Sequence, residues 1–232
     1  MHPLDNVIWH ALTTRQTEFA ETSEKASRFV PEVSPLAGLR EPTPEGYESL
    51  AELLSSEGTI ALFLDTPYQD RRGWNLIAGA PLLQMVCEDG ASLAKLSSAS
   101  EAKVLELNAE HSAAMSELTA LTKPGPFHTR THELGTFLGI CRDGKLVAMA
   151  GERLKVPGYT EVSAVCTHPE HAGKGYARIL MTEVMRRIRD RGERPFLHVR
   201  KDNERAIKLY QRLGFSRRSL LHLAVLRKHL LN

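Results

Sequence analysis

The residues best equipped for chemistry lie together in VCTHPEHAGKGYA, residues 165–177. An apolar strand pattern feeds a loop with glycines at 173 and 175, and that loop opens directly into a helix pattern. Glycine lets the backbone approach a ligand closely, and the first free N–H groups of a helix point, with its dipole, at whatever lies before them. Strand, loop and helix in this order describe an anion site suited to phosphate. It is not a Walker loop, which ends in GK followed by Ser or Thr, and no GxGxxG is present.

Two further placements could serve catalysis. Glu161 lies two and four residues before Ser163 and Val165, so the three share a strand face, and a carboxylate there, in preference to Glu152 or Glu133, could act as a general base. Asn203 and Tyr210 are seven apart, two helical turns, and share a helix face. Other groups read more simply. Cys166 and His168 have the spacing of a nucleophile and base on one strand face, but a small thiol beside a covering helix is more often packing. His168 with His171, and His128 with His132, lack a carboxylate or third histidine, so no metal site is expected. The run Arg186, Arg187, Arg189, Arg191 and Arg194 reads as a solvated helix end complementing the dipole. Trp9 and Trp74 read as core.

The elements that must position these residues follow from the punctuation. Trp9, Leu12, Gln16 and Phe19 mark a weak N-terminal helix, and four prolines in residues 31–44 predict a loop. Thr43 and Pro44 sit where an N-cap and first helical residue belong. Strands are predicted at 60–64, 82–87, 104–107, 135–141, 146–152, 161–167, 196–199 and 219–226. Asp143-Gly144 signals a hairpin between two of them. Helices are predicted at 109–121, after Gly175 to near Gly192, and at 206–213 before Gly214. KPGPF at 123–127 is a loop. The outcome is an α+β fold with a largely antiparallel sheet flanked by helices.

The chain of 232 residues is 42% hydrophobic and 25% charged, which places it with folded globular proteins rather than disordered or fibrous ones. No apolar run reaches the roughly 20 residues of a membrane span, and the first residues lack a leader pattern. Three cysteines without a CxxC pair suggest neither a disulfide framework nor a zinc site, so a reducing cytoplasm is expected. Residues 168–232 carry 16 Lys and Arg against 6 Asp and Glu, a local basic excess that fits a small polyanion as well as a nucleic acid.

Taken with LHVRKDNERAIKLYQRLGF at 197–215, the loop block resembles the two conserved blocks of the GNAT superfamily of acyl-CoA-dependent N-acyltransferases, over about residues 101–232. The resemblance implies that Val165, Cys166 and Thr167 hold a pantetheine arm through their backbone. It further implies that Gly173, Lys174, Gly175, Tyr176 and Ala177 cradle the pyrophosphate, that Asn203 steadies the arm, and that Tyr210 stands near the sulfur. Ala172 departs from the family's Arg or Gln and removes a phosphate donor. The 123–127 loop and the helix beginning at Ala109 also resemble the glycine N-acyltransferase-like branch, with residues 1–100 as an N-terminal α/β half, a degenerate copy without a catalytic motif. The implied activity is acetyl transfer from acetyl-CoA, as cosubstrate, to a small-molecule or peptide amine by direct attack in a ternary complex. No nucleic acid, membrane or metal is implied, and acceptor identity and oligomeric state stay open. A non-catalytic CoA-binding module is the alternative.

Overall fold

The computed structural model describes residues 2–55, 58–87 and 102–229. α1 (Val7–His10) runs on through a π turn at Ala11–Arg15 and a 3-10 turn at Thr17–Phe19. β1 (Ala20–Thr22), β2 (Ala26–Phe29) and β3 (Ala37–Leu39) form a small antiparallel sheet. These strands are absent from the sequence reading, and β3 falls inside the predicted loop, because three or four residues are too few for alternation to show. α2 (Pro44–Glu52) begins as predicted, with the Thr43 hydroxyl accepting from the Gly46 N–H at 3.3 Å.

The remaining elements are β4 (Thr59–Leu64), β5 (Trp74–Cys87), β6 (Val104–Leu107), α3 (Ser112–Thr122), β7 (Phe137–Arg142), β8 (Lys145–Val156), β9 (Tyr159–Thr167), α4 (Tyr176–Asp190), β10 (Arg194–Arg200), α5 (Glu204–Arg212) and β11 (Phe215–Lys228). Asp143 and Gly144 turn β7 into β8 with φ of 50° and 75°, the two left-handed residues of a type I′ hairpin. β5 begins eight residues before the predicted strand, since its first half is largely exposed and pairs only along β11.

Eight strands make one sheet in the order β4-β11-β5-β10-β9-β8-β7-β6, antiparallel except between β9 and β10. This mixed, largely antiparallel sheet with covering helices is the fold class expected. β5 lies between β10 and β11, so strands from before and after residue 100 interleave; the boundary expected there falls outside the described residues. A further parallel bridge, between Leu36 just before β3 and Ala61 within β4, sets the two chain segments on either side of α2 next to each other, a small version of the β9–α4–β10 crossover.

α4 covers one face of the sheet. Its stripe of Leu180, Met181, Val184, Met185 and Ile188 packs on Met85, Ile140, Val162 and Leu197, each almost wholly buried. Burying such side chains contributes about 1.5–3 kcal/mol apiece. The opposite face is covered by the N-terminal segment, with Leu4, Ile8, Leu12 and Leu36 against Val86, Leu154 and Phe196. Among the described residues no helix is long and apolar enough to cross a membrane.

Candidate active site

β9 and β10 share three rungs, Tyr159 with Arg194, Thr160 with Pro195 and Glu161 with Phe196. Then they part. β9 continues to Thr167 along β8, while β10 continues to Arg200 along β5, and a wedge opens between them. Inside it β9 bulges: Cys166 pairs with Met149 and Ser163 with Gly151, leaving Ala164 and Val165 against Ala150. Ala164 has φ of 52°, a left-handed conformation that costs a non-glycine residue roughly 1–2 kcal/mol. Strain of this kind persists where surrounding structure must aim a backbone group.

The chain leaves β9 through a 3-10 turn at Pro169–His171 and reaches Gly173 and Gly175 at φ of 81° and 79°. Gly175 is the N-cap of α4 and no side chain caps it, so the first-turn N–H groups stay available. A Cβ on either glycine would meet nothing within 4 Å. The space before the helix is open. Lys174 Nζ is 3.3 Å from His171 Nδ1, the His171 ring stacks on Tyr176, and Arg142 Nε donates to the Tyr176 hydroxyl at 3.1 Å. Ala172 is exposed and adds no donor.

Asn203 caps α5, its Oδ1 accepting from the Ala206 N–H at 3.1 Å, which leaves the amide nitrogen for another partner. Tyr210 packs against the α4-side core and meets Phe215 edge-on at 6.2 Å. Burial pushes its phenol up to about 12, so the proton is held at neutral pH.

Glu161 is 1% exposed. Arg153 grips it with two bonds, Nε to Oε2 at 2.8 Å and Nη2 to Oε1 at 2.7 Å; His198 Nδ1 lies 2.8 Å from Oε1, and the Leu154 N–H donates to Oε2 at 3.3 Å. Four donors fill about all the lone-pair sites a carboxylate has. Burial alone would push the carboxyl up, but Arg153, His198 and their hydrogen bonds hold it down at about 2. The residue expected as a base is thus ionised but fully engaged.

The network continues through Gln84. Its Oε1 accepts from Arg218 Nη1 at 2.8 Å and from Ser219 at 3.3 Å, while its Nε2 donates to the Leu4 carbonyl at 3.0 Å and lies 3.1 Å from His198 Nε2. With the amide nitrogen turned to His198, Nε2 of the ring must accept and Nδ1 must carry the proton given to Glu161. Arg153, His198, Gln84 and Arg218 escape the sequence reading. The available signal was a polar residue in an apolar strand at each of Gln84, Glu161 and His198.

Cys166 is buried, which pushes its thiol up to about 11, and His168 caps the 3-10 turn through Nδ1 at 3.3 Å from the Glu170 N–H. A thiolate nucleophile finds no support there. Arg186, Arg187 and Arg191 are engaged with Glu183 and Asp190, with Glu106, and with Glu152. Among the described residues no group of three or more His, Cys, Asp or Glu could hold a metal ion.

Comparison with known proteins finds relatives of the chain and of its fold. The family described as FR47-like protein matches residues 137–222. A structure from the GNAT family of Novosphingobium aromaticivorans is 35% identical, covers 99% of this chain and 100% of its own, and superposes with a TM-score of 0.90. A GCN5-related N-acetyltransferase from Kribbella flavida has the same fold at 16% identity, with coverage of 95% and 96% and a TM-score of 0.66. A tandem GNAT protein from the clavulanic acid biosynthesis pathway, 14% identical over 89% of this chain and 79% of its own, gives 0.57. No curated protein matches.

Proposed function

The chain belongs to the GNAT family, and from that membership we propose that it moves an acetyl group from acetyl-CoA to a primary amine by direct attack in a ternary complex. The observation that carries this reading is the wedge between β9 and β10 with the uncapped N-terminus of α4 at its mouth. One part fits an extended arm with backbone to spare, and the other fits a pyrophosphate.

Acetyl-CoA supplies an activated thioester. Toward it, Val165, Cys166 and Thr167 offer the open edge of β9 to the pantetheine amides, and Gly173, Lys174, Gly175, Tyr176 and Ala177 offer loop and helix N–H groups to the pyrophosphate. Asn203 steadies the arm with its free amide nitrogen. In the transfer a C–N bond forms, the C–S bond breaks, nitrogen gives up one proton to water and sulfur receives one. Tyr210 donates that second proton and regains one from solvent. Glu161 is a positioning residue: with its lone pairs filled it fixes the point where β9 and β10 separate, and the acceptor meets the thioester as the free amine.

Residues 101–232 constitute the acyltransferase domain in this reading, with residues 1–100 a degenerate copy. The β3–α2–β4 crossover supports the copy, and Thr43 with Pro44 makes the start of α2 a poorer anion site than the start of α4: one caps the helix and the other removes a donor. The same two-half order supports kinship with the glycine N-acyltransferase-like branch. Thermal melting with acetyl-CoA tests the function. Ligand at about 100 times its Kd stabilises the fold by ~2.7 kcal/mol, whereas no shift with millimolar acetyl-CoA or CoA sinks the reading.

A further inference from the structure

The cofactor cradle and the Glu161 network lie on opposite faces of the sheet. Val162 and Leu197 point to α4, so Glu161 and His198, one residue removed on each strand, point to the face covered by the N-terminal segment. On that face a cavity of about 440 Å³ opens between β3 and β4, beyond their single parallel bridge. Its size is that of a small-molecule site.

This cavity abuts the network directly. Phe63 in its wall meets the His198 ring at 4.7 Å and lies under the Arg153 guanidinium at 5.9 Å. Arg218 and Ser219, also in the wall, both bond Gln84, which holds His198. The lining carries three carboxylates, Asp5, Glu41 and Asp65, against two guanidiniums, Arg40 and Arg218, and Asp5 is taken up by Arg218. A negative excess remains around an apolar floor. The α4 cradle, by contrast, gathers positive groups.

We propose that this cavity is the entrance and seat of the acceptor, a small primary amine bound as its cation, so that acceptor and cofactor approach the wedge from opposite faces. The assignment rests on the acetyltransferase reading above. The bound cation gives one proton to water as it passes Phe63; the freed lone pair then forms the C–N bond as the C–S bond breaks, and nitrogen gives its second proton to water while Tyr210 protonates the sulfur. Phe63 sets the acceptor's width and Asp65 its charge.

The test is steady-state kinetics of the whole chain with acetyl-CoA and four acceptors of falling charge: 1,4-diaminobutane, butylamine, glycine and glutamate. kcat/KM is expected to fall along that series. Asp65 is exposed, so Asp65→Lys will fold, and it lowers kcat/KM for diaminobutane roughly tenfold or more by placing like charges together, with the KM for acetyl-CoA unmoved. Phe63→Ala shifts preference from butylamine toward benzylamine. Acetyl-CoA protection in the melt, read on the same samples, separates the two failures. Protection with no charge preference, or with acceptor kinetics untouched in both variants, overturns the cavity assignment alone; wild-type protein without protection overturns the functional reading and this assignment together.

Discussion

His198 donates a hydrogen bond through its Nδ1–H to the Glu161 carboxylate at 2.8 Å, just where the last rung shared by β9 and β10 gives way to the wedge. The bond joins the two strands that no backbone hydrogen bond joins beyond that point. Its loss must change both the stability of the sheet and the shape of the opening.

Glu161→Gln therefore acts on the fold first. It leaves the Arg153 guanidinium buried without its charge partner, a change that costs about 3–5 kcal/mol. The carboxyl is held at about 2 against an ordinary 4.5. A depressed carboxylate stabilises above its unfolded value and loses that contribution as pH falls through the folded one. Wild-type protein thus loses roughly 3 kcal/mol between pH 4.5 and 2 that the variant does not have to lose. Urea titrations at pH 7 and pH 3 check this. A variant with native stability, and a rate defect that fades at high pH, would make Glu161 the base after all.

The reach of the sequence differs between local and distant features. Thr43 and Pro44, Asp143 and Gly144, and Gly173 with Gly175 act on their own neighbours, so the elements they start or turn were legible. The insertion of β5 between β10 and β11 was not, because Phe196 to Val86 is a pairing across 110 residues with no local signature. The same limit hid the network. Glu161 could be picked out as a carboxylate on the right strand, but its chemistry depends on Arg153, His198 and Gln84, three residues on three other strands.

Excising residues 101–232 should abolish cooperative folding. β10 and β11 would each lose β5, and His198 and Arg218 would lose Gln84. Near-ultraviolet circular dichroism and a thermal melt of the fragment check this. A sharp transition with acetyl-CoA protection would show that the later segment stands alone.

Ala172→Arg should tighten cofactor binding. Ala172 is exposed beside Gly173 on the open side of the loop, and a charge-assisted bond to phosphate contributes about 1.5–3 kcal/mol before solvent weakens it. Calorimetric titration with CoA should give a Kd lower by roughly tenfold. Unchanged affinity would mean that Lys174 or His171 already serves the phosphate.

Tyr210→Phe separates leaving-group protonation from packing, since it keeps the ring against Phe215 and removes only the hydroxyl. The phenol, pushed up to about 12 by burial, does not ionise in the working range and can give its proton only as negative charge develops on sulfur. Turnover should fall about 10²-fold, while acetyl-CoA affinity and melting temperature stay where they were, because neither the wedge nor the core has changed. A second reading distinguishes the acid from a mere filler: with an acyl thioester whose thiol has a lower pKa, the departing sulfur needs less help and the gap between Tyr210→Phe and wild type should narrow. If the variant turns over at the wild-type rate with both thioesters, Tyr210 packs and water protonates the thiolate.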